Sequence, residues 1–291
     1  MSSTQQIRRR IGSVKSTKQI TKAMQMVAAS KLRRAQSAVE QPRAFSLAAR
    51  ELLTRLQQLA GGQSYHLLAR RQAVKARLII VISSDRTLAG AYNSNVFREY
   101  TRRLRDSQKQ GIKTYTICVG RQVAQFATRL KETEVIGFYE DLPDTPHANY
   151  IRPIIVTAID KFADAVVDEV EIVFTNYKST VSQEVQVQQI LPAGFEEAEV
   201  PGDIKHAEFE PSADQLLASA VVRLIEVQLY QALLDAQASE HSMRMLAMKN
   251  ATDNASELID DLTLAYNNAR QAHITQELAE ISAGAEAMKD E

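Results

Sequence analysis

The chain has 291 residues, with 35 basic and 35 acidic side chains, a formal net charge of zero and 45% hydrophobic residues. This is an ordinary soluble composition for one or two domains. No apolar run approaches the ~18 residues of a membrane span, and the single cysteine, Cys118, excludes an intramolecular disulfide and a cysteine-cluster metal site.

The first element reads as a helix. Ile7, Ile11 and Val14 are spaced four and three apart, and Ile20, Met24, Val27, Ala28, Leu32, Ala35 and Val39 continue one stripe. Gly12 costs about 1 kcal/mol relative to alanine inside it. Pro42 is expected to disturb the helix locally, while Phe45, Leu47, Leu52, Leu53, Leu56 and Leu59 carry the pattern on and Gly61–Gly62 end it. From Met1 to Val39 there is no acidic residue, although Arg8, Arg9, Arg10, Lys15, Lys18, Lys22, Lys31, Arg33 and Arg34 are cationic. Such a start has the composition of a mitochondrial presequence. The helical pattern runs past Val39 without a break, however, so targeting is not expected. The cations would suit phosphate, but no aromatic interleaving or recognition module accompanies them. Nucleic acid is therefore not the expected partner.

The middle of the chain alternates. Leu78–Ile82 is apolar at every position, which suits a strand covered on both faces. A helical pattern follows through Val96, Phe97, Tyr100 and Leu104, then a strand over Lys113–Val119, a helix over Val123–Leu130 and a strand over Thr133–Phe138. Tyr150–Phe162 reads as a third helix interrupted early by Pro153. Alternating strands and helices predict a parallel sheet with right-handed crossovers. Val170–Phe174 and Val185–Ile190 follow with no helix between them and are expected as an antiparallel pair at one edge. Pro192 to Pro211 is acidic and proline-containing and reads as a surface linker.

Ser212 to Ala283 contains no proline and no glycine. At about 1.5 Å per residue this is one helix roughly 105–110 Å long. No core of a chain this size can hide such a rod, so it must project, and two terminal helices flanking one domain meet as an antiparallel pair. The first half is rich in large apolar residues (Leu216, Leu217, Val221, Leu224, Ile225, Leu229, Leu233, Leu234) and is expected to anchor on the sheet domain. The second half carries a thinner stripe of Ala251, Ala255, Leu258, Leu262, Ala265, Ala269 and Ala272, small enough for a close two-helix seam. The expected organisation is residues 1–60 as the N-terminal helix, 75–192 as the α/β domain, 193–211 as the linker and 212–285 as the C-terminal helix.

Chemistry-bearing motifs are lacking. No glycine-rich phosphate loop of either common type occurs, and no nucleophile elbow. The five histidines (66, 147, 206, 241 and 273) show no ligand pairing. The turn Ser83–Gly90 has one glycine and is expected to be structural. No catalytic, metal or cofactor site is expected.

Ile7-Arg-Arg-Arg-Ile-Gly-Ser-Val-Lys-Ser-Thr-Lys-Gln-Ile-Thr-Lys-Ala-Met-Gln-Met-Val-Ala-Ala-Ser-Lys-Leu-Arg-Arg-Ala-Gln36 resembles the N-terminal helix of F-type ATP synthase gamma subunits. Ala238-Ser-Glu-His-Ser-Met-Arg-Met-Leu-Ala-Met-Lys-Asn-Ala-Thr-Asp-Asn254 and the stretch from Leu264 to Ile281 resemble the same family's C-terminal helix. The resemblance spans the chain in order. One departure is Thr87, Ala89 and Ala91, which stand where the family usually has glycine, cysteine and glycine.

The resemblance implies an α/β fold: a long antiparallel coiled coil of the terminal helices plus a central Rossmann-like domain. It implies a non-catalytic central stalk without cofactors. This stalk would rotate inside an alpha3beta3 ring, with the epsilon subunit and the c-subunit ring below, and would couple ion flow to ATP synthesis or hydrolysis. It would touch membrane only through the complex, at the cytoplasmic face of a bacterial plasma membrane. By the same resemblance Lys22, Met24, Lys31 and Arg244 would meet the beta subunits' acidic levers, and Arg270, Gln271, Thr275 and Glu277 would make the upper contacts in the ring.

Overall fold

The computed structural model describes residues 4–59, 66–69, 71–141, 143, 148–193 and 213–287, with side chains at 39–59, 213–218 and 283–287 left out of account. The elements run α1 (Thr4–Leu59), β1 (Ala76–Ile82), α2 (Tyr92–Lys109), β2 (Lys113–Val119), α3 (Arg121–Ala127), β3 (Glu134–Tyr139), α4 (Ala148–Ala163), β4 (Glu169–Tyr177), β5 (Gln183–Leu191) and α5 (Ala213–Ala287). The sheet order is β3-β2-β1-β4-β5. β1 pairs in parallel with β2 and β4, β2 with β3, and β5 runs antiparallel to β4. This is the expected parallel sheet with one antiparallel edge.

The strands take this arrangement because of where their side chains go. Leu78, Ile80 and Ile82 face a core shared with Ile154, Ile155 and Phe162 of α4 and with Val221, Leu224, Ile225, Leu229 and Leu233 of α5. Ile79 and Val81 face the opposite core, against Val96, Tyr100 and Leu104 of α2 and Val123 of α3. Every residue of Leu78–Ile82 is therefore 0–1% exposed, and the run needs no polar alternation. Each buried aliphatic contributes about 1.5–3 kcal/mol of transfer free energy. The leucine-rich half of α5 is thus the sheet's own cover, as its sequence implied.

Two details differ from expectation. α4 continues across Pro153, which sits in its second turn. α1 is one helix from Thr4 to Leu59, carried past Pro42 as the apolar pattern beyond the proline implied; Gly61–Gly62 lie outside the described residues, as does the linker beyond Ala193. α5 runs on past Gly284 to Ala287.

The chain divides into two compact units, one of Met1–Val27 with Met245–Glu291 and one of Ala28–Arg244. In the first unit the two helices are antiparallel. Along α1 the covered positions include Thr4, Ile7, Ile11, Val14, Lys18 and Thr21, and along α5 Met245, Met248, Thr252, Ala255, Ile259, Leu262, Tyr266 and Ala269, with Met24, Gln25, Leu246, Ala247, Ala251 and Ser256 half-covered beside them. Both series step by three and four in alternation, the heptad of a left-handed coiled coil. The Thr252 hydroxyl lies 2.8 Å from that of Thr21. Thr4 and Ala269 each lie seventeen positions from that pair, and from Arg270 to Ser282 every residue is exposed.

This seam corrects the sequence stripe. Ile20 (61% exposed) and Val27 (58%) on α1, and Leu258 (41%) on α5, point outward, as do Ala265 and Ala272. Lys18, Thr21, Thr252, Ile259 and Tyr266 take the inward places. The cause is the period: a straight 3.6-residue stripe drifts about 20° per heptad from the 3.5-residue seam.

Candidate functional site

Among the described residues there is no cluster of His, Cys, Asp or Glu able to hold a metal. Cys118 is buried and its thiol is pushed up to about 12 by that burial, which leaves it inert at neutral pH. No helix of the described residues is long and apolar enough to cross a membrane. The informative geometry lies instead in the second unit, where α5 crosses the carboxyl ends of the strands.

There the turn between β1 and α2 is framed from within. Ser84 donates its backbone N–H to Asn93 Oδ1 at 3.1 Å, and its hydroxyl lies 2.7 Å from the Arg86 carbonyl. Asp85 Oδ1 accepts the Arg121 N–H at 2.9 Å. The left-handed residues of the turn are Leu88 (φ 64°) and Gly90 (φ 58°). Thr87, Ala89 and Ala91 are not among the positive-φ residues, and Ala91 has φ −84°. The departures from the family pattern therefore fall where a Cβ costs no backbone strain, whereas Leu88 bears a cost of roughly 1–2 kcal/mol.

α5 lies against this turn and the neighbouring hairpin through polar side chains. Ser239 Oγ donates to the Thr175 carbonyl at 3.2 Å. Ser242 Oγ donates to the Thr180 carbonyl at 2.8 Å and accepts from Gln183 Nε2 at 3.2 Å. Arg244 Nη1 pairs with Glu240 Oε1 at 2.6 Å. Its Nη2 donates to the carbonyls of Arg86 and Thr87 at 3.2 and 3.3 Å. The side chains of Arg244 and Glu240 are only 12% and 16% exposed. Burial raises the Glu240 carboxyl above its ordinary range, with Arg244 opposing and with Asp85 and Lys31 nearby. Tyr92 beneath is wholly buried and raised, first by burial and then by Glu240.

The expected contact residues fall into three groups. Lys22 is exposed, 3.4 Å from Gln25 Oε1, and Met24 is half-buried, both on α1 in the first unit. Lys31 and Arg244 are brought together around Glu240 in the second unit. Arg270, Gln271, Thr275 and Glu277 are exposed along the distal α5, with Glu277 3.2 Å from His273 Nδ1. Glu240, Ser239 and Ser242 were missed. The Glu240–Arg244 spacing of four was a legible helix-surface pair, but the carbonyls that complete it are main-chain groups and leave no mark in sequence.

The family model for ATP synthase matches residues 3–288. An ATP synthase gamma chain from Exiguobacterium sibiricum is 42% identical over 289 residues, covering 99% of this chain and all of that one. One from Xanthomonas campestris is 37% identical over 288 residues with the same coverage. The chain belongs to the ATP synthase gamma-chain family. Its fold is shared with a chain of the Euglena gracilis mitochondrial ATP synthase (TM-score 0.68, 19% identity, 98% of this chain and 94% of that one). It is also shared with one from the Tetrahymena thermophila central stalk and c-ring structure (TM-score 0.61, 24% identity, 80% and 99%). The chain is accordingly a subunit of ATP synthase with no catalytic site of its own, part of the F1 sector of a membrane-bound complex.

Proposed function

We propose that this chain is the central rotor shaft of its ATP synthase. The first unit turns within an alpha3beta3 ring, and the second sits with the epsilon subunit on the c-subunit ring. Ion flow through the membrane ring is thereby coupled to ATP synthesis or hydrolysis on the beta subunits. The complex lies at the cytoplasmic face of a bacterial plasma membrane, a reading supported by the bacterial sources of the similar gamma chains.

The observation that carries this reading is the first unit itself. Its seam mixes large apolar residues such as Ile7, Ile11, Met248 and Leu262 with small and polar ones such as Thr21, Thr252 and Ala255, while Ile20, Met26, Val27, Leu264, Ile274, Leu278 and Ile281 remain 43–68% exposed on the outside. A pair of helices that leaves this many further large apolar residues uncovered is built to be surrounded. A rotating asymmetric shaft presents different faces to each catalytic subunit in turn and biases it between states by differential contact. Lys22, Met24 and Lys31 then serve the lower contacts with acidic levers, and Arg270, Gln271, Thr275 and Glu277 the upper ones. Arg244, turned toward its own chain, backs the lower set.

Mixing the chain with its alpha and beta subunits tests this reading. A stoichiometric complex with ATP hydrolysis is expected, and substituting alanine at both Lys22 and Arg270 should lower its activity while the chain stays folded. A chain that never enters the ring would end the proposal.

A further inference from the structure

In open α/β sheets, ligands bind outside the carboxyl ends of the strands, at the point where successive crossovers go to opposite sides. Here that point lies between β1 and β4, since β2 flanks β1 on one side and β4 on the other. The residues at this crevice are Ser84 to Thr87 after β1, Tyr92 at the start of α2 and Thr175 on β4. The group that fills it is a side chain of the same polypeptide. We propose that the Arg244 guanidinium, held by Glu240, is the resident occupant of this crevice and clamps α5 to the β1–α2 turn. Arg244 is on this account a positioning residue of the rotor. The proposal rests on the rotor reading above.

Three observations converge on the clamp. One guanidinium binds a carboxylate on its own helix and two successive carbonyls of a turn about 157 positions away in sequence. This planar fork is geometry that a lysine ammonium does not reproduce. The turn it grips holds Leu88 in the left-handed region, a conformation that persists only when surrounding contacts over-determine it. Finally, Ser239 and Ser242 staple the same two turns of α5 to the Thr175 and Thr180 carbonyls, which are main-chain acceptors like those of Arg86 and Thr87. The cluster stands at the last residue of the second unit, Arg244, after which α5 continues into the first. A helix that carries torque must not roll on the sheet that drives it. Apolar packing alone is non-directional and resists rolling weakly, whereas hydrogen bonds to fixed carbonyls are directional.

The test uses the assembled complex carrying Arg244→Lys or Glu240→Gln, with amide exchange of the segment 84–92 as the first readout. Losing these charge-assisted bonds should speed exchange there roughly tenfold or more in Arg244→Lys. The change in Glu240→Gln should be smaller and in the same direction. The second readout is the number of ions pumped per ATP hydrolysed. It should fall in Arg244→Lys while hydrolysis persists, a split that loss of mere stability does not produce. Unchanged exchange at 84–92, together with altered exchange on a beta subunit, would overturn the clamp and make Arg244 a ring contact. If Arg244→Lys does not assemble, the same two readouts on Glu240→Gln decide the matter. A wild-type chain that fails to enter the complex would instead break the rotor reading; exchange measured on the free full chain would then still decide the clamp.

Discussion

Replacing Ala255 by leucine should disrupt the first unit more than replacing Leu258 by alanine, the reverse of what their hydrophobicity suggests. Ala255 is 8% exposed in the seam and Leu258 41% exposed beside it. Ala255→Leu adds three carbons where the helices meet, between the levels of Thr252 and Ile259. Forcing such atoms into a packed site typically costs about 1–3 kcal/mol. Leu258→Ala removes a side chain that is already largely outside, and alanine is the better helix former. Its cost should stay below about 1 kcal/mol. Urea unfolding of the full chain, followed by far-UV circular dichroism, reads both variants. Amide exchange over 245–269 assigns the change to the first unit. If Leu258→Ala costs more than Ala255→Leu, the heptad seam is misplaced and the sequence stripe through Leu258 was correct.

Valine at Thr21 and at Thr252 should show positive coupling in a double-mutant cycle, about 0.5–1.5 kcal/mol, because either single change already removes the shared hydroxyl bond; strict additivity would deny the contact. Glu171 is 4% exposed between Arg77 at 3.6 Å and Arg103, and Arg77 also pairs with Glu169 at 2.9 Å, so Glu171→Ala removes the partner of Arg103 while leaving Arg77 paired and should cost about 1.5–3 kcal/mol in urea unfolding, a loss under about 1 kcal/mol contradicting the network. Burial alone would raise the Asp168 carboxyl, but the N–H groups of Lys75 and Ala76 and the Arg71 guanidinium outweigh it and leave it below its ordinary value. A depressed carboxylate contributes stability that is present above its unfolded pKa of about 4 and lost as pH falls through the folded value. Asp168→Asn should therefore lower the unfolding midpoint at neutral pH and converge with wild type in acid; a constant gap across pH would refute that cause.

What could be read in the sequence follows from which forces leave a mark there. Leu78–Ile82 was legible as a doubly covered strand because burial on two faces demands an unbroken apolar run. The alternation of Val185-Gln-Val-Gln marked β5 as an edge because one of its faces is wet. The leucines of the early α5 gave away their docking on the sheet. The seam was only half legible: close helix approach admits small and polar residues such as Thr21, Thr252 and Ala255, and hydrophobic period-counting passes over them. The clamp was least legible. Its pair Glu240–Arg244 is written four apart on one helix, but the acceptors are the main-chain carbonyls of Arg86 and Thr87, and peptide groups carry no sequence signature. The turn substitutions at Thr87, Ala89 and Ala91 stood out in the sequence, yet they carry no left-handed backbone strain, because the left-handed places fall on Leu88 and Gly90.

The central claim is that this chain turns within a ring of partner subunits. The most direct measurement attaches a bead or gold particle to the second unit, at a cysteine replacing the exposed Lys109 on α2. The alpha3beta3 ring is fixed to a surface, and the particle is watched as ATP is added. The account predicts sustained rotation in one direction, in steps that lengthen as ATP is diluted. A particle that stays still while the same complexes hydrolyse ATP would contradict it.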